Sequence, residues 1–322
     1  MNTTPTNPTA LPVTPMSRRR LLAGLAGTLV AVPAFAAVLA ACGDPDDEPA
    51  GTTPDTSGTT TPGSTPGTGA DGSIEHGTDA TAAIIRLSYE GGFVAPDTLF
   101  VNVPAVVVAG DGRVYSPAPV TAIYPGPLVQ PYTVRTISEA GIQMLLADAS
   151  AQGLLGAAPD YSAEMMIADA PDTVVRIAAG GGTYEHRAYA LGMGIDSAGN
   201  PADESTEPRR KLWAFVQQLT DLPATVGAAA LGAESLFTPA AYRLRATAVD
   251  EASLGGLDVE PTFVDWPSST GVSLAASAEC ASATAEQIGT LFADATQTTY
   301  FREGGTTYQL AVAVVLPGDA GC

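Results

Sequence analysis

The chain has 322 residues, of which 34 are acidic and 14 basic, giving a formal net charge of −20. An excess of this size repels nucleic acid and anionic lipid headgroups, which excludes DNA and RNA as partners at the level of composition. With 45% hydrophobic residues the chain can still build a sizeable core.

The first readable element is Ser17-Arg18-Arg19-Arg20-Leu21-Leu22, which opens an apolar run ending at Leu39-Ala40-Ala41-Cys42. A charged start, an apolar middle and small residues before a cut are the parts of a secretory signal. Cys42 behind Leu39, Ala40 and Ala41 resembles the lipobox of bacterial lipoproteins. The pair Arg18 and Arg19 followed by leucines resembles a twin-arginine (Tat) export signal. These resemblances imply removal of residues 1–41, acylation of Cys42 (diacylglycerol, palmitate) and a place on the extracytoplasmic face of the cell membrane. Two acyl chains suffice for stable anchoring, where one is marginal. A retained helix over Leu21–Ala41 competes with this reading, since 21 residues are enough to span. That stretch is only weakly apolar, however, and holds Gly24, Gly27 and Pro33. Plain secretion is a third reading, and the general secretory route stays open beside the twin-arginine one. Loss of the leader removes three arginines and no acid, leaving 11 basic and 34 acidic residues, a net charge of −23.

Residues 42–75 are Gly, Pro, Thr, Ser and Asp with almost no apolar side chain. They bury too little surface to offset their conformational entropy, so a disordered tether is expected. As a flexible coil its ends average about 30 Å apart. The acidic run Asp44-Pro45-Asp46-Asp47-Glu48 reads as solvated. Residues 76–322 then suffice for one large domain or two small ones.

Strand and helix signals alternate from there. Ile84–Tyr89 is a β-rich run. Val106–Val108 and Arg113–Tyr115 flank the hairpin turn Gly110-Asp111-Gly112. Ile142, Leu145, Leu146 and Ala149 fall at i, i+3, i+4, i+7 behind Ser138-Glu139. Thr173–Ile177 and Thr183–Tyr189 flank Gly180–Gly182. A second amphipathic helix is expected through Leu212, Phe215, Val216 and Leu219, starting near Ser205-Thr206-Glu207-Pro208. Tyr242–Val249 reads as a strand. A third helix is expected through Ile288, Leu291, Phe292 and Ala295, behind Thr284 and Glu286. Tyr300–Arg302 and Thr306–Val315 flank Gly304-Gly305. Hairpins imply mainly antiparallel sheets, and three amphipathic helices on one face make an α+β fold.

Ile142–Ala149 and Ile288–Ala295 both read Ile-x-x-Leu-x-Ala-Asp-Ala at an offset of 146 residues, each followed by a Gly-turn hairpin. Duplication of one α+β unit, with halves at about 80–195 and 236–322, is one account. Convergence of amphipathic helices in an Ala-rich chain is the other. Besides Cys42 only Cys280 and Cys322 remain. In an oxidising compartment they pair, closing a loop of about 43 residues for roughly 2–4 kcal/mol.

Chemistry-bearing motifs are sparse. His186 is the one histidine within the folded part, apart from His76 at the tether's end. A Ser-His-Asp hydrolase would have to use it, but no Gly-x-Ser-x-Gly elbow exists, and an ordinary strand histidine is the expectation. One histidine and a disulfide leave no usual zinc set. Asp196, Asn200, Glu204 and Glu207 sit at positions 1, 5, 9 and 12 of an EF-hand-like window, but Ala198 and Pro201 stand where an oxygen ligand and Gly belong. An exposed polar loop is the expectation, with no metal and no cofactor. Gly180–Gly182 precedes a strand, the wrong context for a phosphate loop. Of the two tryptophans, Trp213 lies within a helix near its buried face. Trp266 lies in a loop, either as a weak partner-surface candidate or as a cover over the core; Tyr124 is the other weak surface candidate.

Tyr89-Glu90-Gly91-Gly92-Phe93-Val94, Gly110–Val114, Ile123-Tyr124-Pro125-Gly126-Pro127, Val264-Asp265-Trp266-Pro267 and the ending from Leu310 together resemble a group of actinobacterial lipoproteins. The resemblance covers most of residues 83–322. That family has no established activity, so it implies a location and lends no catalytic residue. The expected function is non-catalytic binding of an envelope protein or a small ligand. The alternatives are a hydrolase with a carboxylate-based site and a purely structural surface protein. A cleft of converging carboxylates with strongly shifted pKa values would mark the enzyme. An exposed apolar patch would mark the binder.

Overall fold

The protein is described by a computed structural model covering residues 72–162, 167–193, 206–256 and 259–322. They fall in one compact unit, Thr61–Cys322. The signal residues Arg18, Arg19, Leu39, Ala40 and Ala41, the lipid site Cys42, most of the tether and the window from Asp196 to Glu204 lie outside the described residues. In chain order the elements are β1 Ala83–Glu90, α1 Pro96–Val101, β2 Val106–Ala109, β3 Arg113–Pro117, β4 Tyr132–Thr136 and α2 Glu139–Ala151. Then come β5 Asp172–Ala179, β6 Gly182–Tyr189, α3 Glu207–Thr220, α4 Leu222–Val226, β7 Ser235–Leu236 and β8 Ala241–Val249. The last are β9 Thr262–Asp265, β10 Ala281–Thr284, α5 Ala285–Ile288, β11 Thr299–Glu303 and β12 Thr306–Val314.

The strands form two sheets. Seven run in the order β6-β5-β1-β2-β3-β4-β7, every neighbour antiparallel. Five run in the order β10-β8-β12-β11-β9, antiparallel except for β11 beside β9. The fold is therefore mixed α and β with β predominant.

The central strand β2 explains the layering. Its Val-Val-Val-Ala is buried throughout, as an all-apolar strand between two layers must be. Val106 and Val108 join the core shared with α2 and α3, through Leu145, Leu146, Phe215 and Val216. Val107 and Ala109 face the other way, into a smaller core with Tyr115 and Tyr132 of the same sheet and with Val314 and Leu316 at and just past the end of β12. A register shift in β1 between Ala83 and Ile85 acts with this division. It puts both Ile84 and Ile85 in the helix-side core and leaves Ala83 against the other one.

Two of the three expected helices form. In α2 the buried set is Gly141, Ile142, Leu145, Leu146 and Ala149, and Ser138 caps it by accepting from Gly141 N. In α3 Leu212, Phe215, Val216 and Leu219 are buried. The third is a correction. Thr284 closes a capping box with Gln287, but α5 stops after four residues at Ile288. Gly289 follows at φ 56°, outside helical space, so the chain turns there and Leu291, Phe292 and Ala295 reach a core from irregular backbone. The two Ile-x-x-Leu-x-Ala-Asp-Ala segments thus fold differently, and three helices on one face do not form.

The described fold also takes in residues before His76. Ile74 N donates to Gln143 Oε1 at 2.9 Å, and Gln143 Nε2 returns a bond to Ile74 O at 3.0 Å. Gly180 N donates to Glu75 O, and His76 bridges Ala179. The end of the expected tether is therefore pinned to α2 and β5, because Ile74 supplies the one aliphatic side chain that can pack there. Cys280 and Cys322 form the disulfide, with Cα atoms 5.4 Å apart. Among the described residues no helix is long and apolar enough to cross a membrane.

Candidate functional site

His186 is a structural residue. It is fully buried on β6. Its Nε2 lies 2.9 Å from Leu154 O and its Nδ1 2.7 Å from the Tyr161 hydroxyl. A carbonyl only accepts, so Nε2 carries the proton and Nδ1 accepts from Tyr161. Burial lowers the imidazole pKa, opposed by the Leu154 bond. Beside it the buried Arg209, which composition gave no reason to single out, donates to Tyr161 O and Tyr189 O. Both ring nitrogens of His186 are spent on structure, leaving none for a nucleophile.

Trp266 is buried at 6% exposure, its Nε1 donating to Val272 O at 2.7 Å and its ring packed on Phe301 and Phe292. It covers the core and offers no partner surface, which corrects its reading as a surface candidate. The rings that bury it come from β11 and the irregular segment before it, beyond what a loop position in sequence conveys. Trp213 is half-buried against the helix-side core and fills the space beside Gly192, where a Cβ would stand 2.3 Å from the ring.

Tyr124 has the opposite placement, 65% exposed at the mouth of a cleft of about 930 Å³. One wall is the segment after β1. Gly91 and Gly92 hold φ of 78° and 82°, values that favour glycine. A Cβ on Gly92 would also press within 3.1 Å of Asp169 O. Beyond the turn come Phe93, Val94 and α1, which starts with Pro96 and ends at the left-handed Asn102, φ 36°. No residue of α1 is buried. It rests on β12 and reaches toward β8, where Arg243 and Arg245 alternate with the core residues Leu244 and Ala246. Phe100 lies 5.7 Å and 5.0 Å from those two guanidinium groups, and Arg245 pairs with Asp97.

The facing wall is Val120 and the stretch from Tyr124 to Leu128. Backbone bonds pin it to the residues before β11: Leu128 N to Ala295 O at 2.8 Å and Gln297 N to Gly126 O at 3.0 Å. The floor comes from β12, where Gln309 and Ala311 point away from the core holding Tyr308, Leu310 and Val312. The small Ala311 leaves the depth. Asp169, left-handed at φ 61°, closes one end.

Apolar groups dominate the rim. Among the described residues eleven large hydrophobic side chains are exposed, and six of them line this cleft: Tyr89, Phe93, Val94, Leu99, Val120 and Tyr124. Ile123 stands next to them at 70% exposure. Single exposed apolar residues are ordinary, but a contiguous set around a concavity marks an interaction site.

The cleft's carboxylates do not converge as an acid–base pair. Burial raises the Glu90 pKa, but bonds from Arg176 at 2.7 Å, Arg187 at 2.7 Å and Ser88 at 2.8 Å override it and bring it down to about 2. Glu90 is therefore a fixed charge at neutral pH, unsuited to donate a proton. The same arginines reach Glu185 and Asp172, so Glu90 belongs to a network across β1, β5 and β6. Asp97 is committed to Arg245. Among the described residues no three His, Cys, Asp or Glu side chains gather to hold a metal ion.

Sequence reasoning singled out Tyr124 and the segment to Pro127 on one wall but missed the other wall and the floor. Phe93, Val94 and Leu99 carry no helical or strand period, and the cleft exists only because β12 brings the segments together. Comparison of the chain with protein-family models, with curated proteins and with solved structures finds no match.

Proposed function

We propose that this is a cell-envelope lipoprotein, acylated at Cys42 and carried on a tether, whose folded domain works by non-catalytic binding in the Tyr124 cleft. The localisation rests on the signal and lipobox resemblance around Arg18, Arg19 and Cys42. The observation that carries the binding reading is the ring of exposed apolar side chains around one concavity, whose carboxylates Glu90 and Asp97 are already ion-paired. Binding sites combine apolar walls with a few polar groups in this way.

A photo-crosslinking amino acid at Phe93 tests the binding reading in intact cells of the native host. The same probe at Met144, 45% exposed on α2, is the control. Discrete adducts from position 93 and none from 144 are expected. Equal labelling at both positions, or none at 93, removes the reading. For the anchor, Cys42→Ala releases the protein from the membrane fraction; persistent association points to a retained helix.

A further inference from the structure

The polar groups of the cleft narrow what it binds. Four carboxamides stand among its apolar residues: Asn102, Gln130, Gln297 and Gln309. Gln130 spends its amide protons on Ala118 O and Pro131 O, which leaves its oxygen as an acceptor. Gln297 uses its oxygen on Gly126 N, which leaves its NH₂ as a donor. Neither Asn102 nor Gln309 makes a side-chain hydrogen bond within the described residues. A hydrocarbon occupant would cover these groups without pairing them and so bury unsatisfied donors and acceptors. A sugar would satisfy them but would lay hydroxyls on Val94, Leu99, Val120 and Leu128. An extended peptide offers both requirements at once, amide groups along its backbone and apolar side chains to either side.

Charge settles a further feature. No Lys, Arg or His lines the cleft. The charged groups around it are Glu90, Asp172 and Glu185 with Arg176 and Arg187, Asp97 with Arg245, and Arg243 beside the Phe100 ring. Asp169 remains. It is exposed, and its carboxylate makes no ion pair or hydrogen bond within the described residues. It is also held in a left-handed conformation, as is Asn102 at the end of α1. Backbone held in sparsely populated regions concentrates at ligand sites.

Resting on the binding reading above, we infer that the occupant is an extended apolar peptide segment of a partner protein, with one Lys or Arg side chain placed against Asp169. Random dodecapeptides displayed on phage and panned on the full chain test this, with counter-selection on Leu99→Asp, a half-exposed position whose variant is first checked for the parent's thermal unfolding. Enriched peptides should combine two or more aliphatic or aromatic residues with one basic residue. Their synthetic forms should lose at least tenfold in affinity for Leu99→Asp and about tenfold for Asp169→Asn. Failure to enrich any Leu99-dependent peptide overturns the inference, as does equal binding to Asp169→Asn. A lipid or glycan adduct at the Phe93 crosslinker overturns the peptide identity and leaves the binding reading standing. Absence of any adduct there removes the binding reading itself.

Discussion

The helices α2 and α1 stand on opposite terms with the sheets beneath them. Five residues of α2 are buried, and its apolar face completes the core over the seven-stranded sheet. In α1 nothing is buried; it lies over β12 and is tied to β8 by one ion pair and by Phe100 beside two arginines. The first arrangement is a packed core, where stability is generated. The second leaves Leu99 and its neighbour Phe93 facing water, which costs hydrophobic free energy and is retained only where the surface has another use.

Substitutions should separate the two regions most strongly at Phe215 and Phe93. Phe215→Ala in the helix-side core is expected to cost about 3–5 kcal/mol, through lost burial and a cavity. Phe93→Ala, at 88% exposure, should stay within about 0.5 kcal/mol of the parent while weakening ligand capture. Urea unfolding of both variants checks the contrast, and a large loss at Phe93 would mean that the cleft wall is part of the core.

The disulfide ranks next. Cys280→Ser should cost about 2–4 kcal/mol, mainly by freeing the unfolded chain, with little change at the α2 side. Hydrogen exchange at Leu145 and Leu146 reads that side, and thermal unfolding gives the total.

Acid should act through His186 before it reaches the cleft. Burial holds its folded pKa below the ordinary 6.5, so the unfolded chain takes up the proton first. Its contribution is complete above about pH 6.5 and falls as pH drops below that value. Glu90 also has a lowered pKa, about 2 against an ordinary 4.5, and its contribution is lost only below about pH 4.5. Between pH 7 and 5 the parent should therefore lose stability faster than His186→Gln. Parallel slopes would assign the acid sensitivity elsewhere.

Local chemistry explains which parts were readable in advance. The turns at Gly110-Asp111-Gly112, Gly180–Gly182 and Gly304-Gly305 join β2 to β3, β5 to β6 and β11 to β12 as expected, because the glycine signal is short-range. The periodic apolar faces of α2 and α3 were equally legible. At 288–295 the same period misled, since spacing counts side chains and ignores Gly289, whose backbone ends α5. The parallel pairing of β9 with β11 joins Thr262 to Thr299, a long-range contact that leaves no local mark. Trp266 was half readable: its loop position is right, but the Val272 carbonyl and the ring of Phe301 that enclose it are tertiary facts. The cleft was the least legible feature, since one short segment from Tyr124 to Pro127 stood for a surface assembled from five separate stretches of chain.

The clasp between Ile74 and Gln143 has a mechanical consequence. Any pull arriving along the preceding residues meets two reciprocal hydrogen bonds at the helix before it reaches the sheet. That contact therefore acts as a fuse: it yields first and spares β5 from distortion.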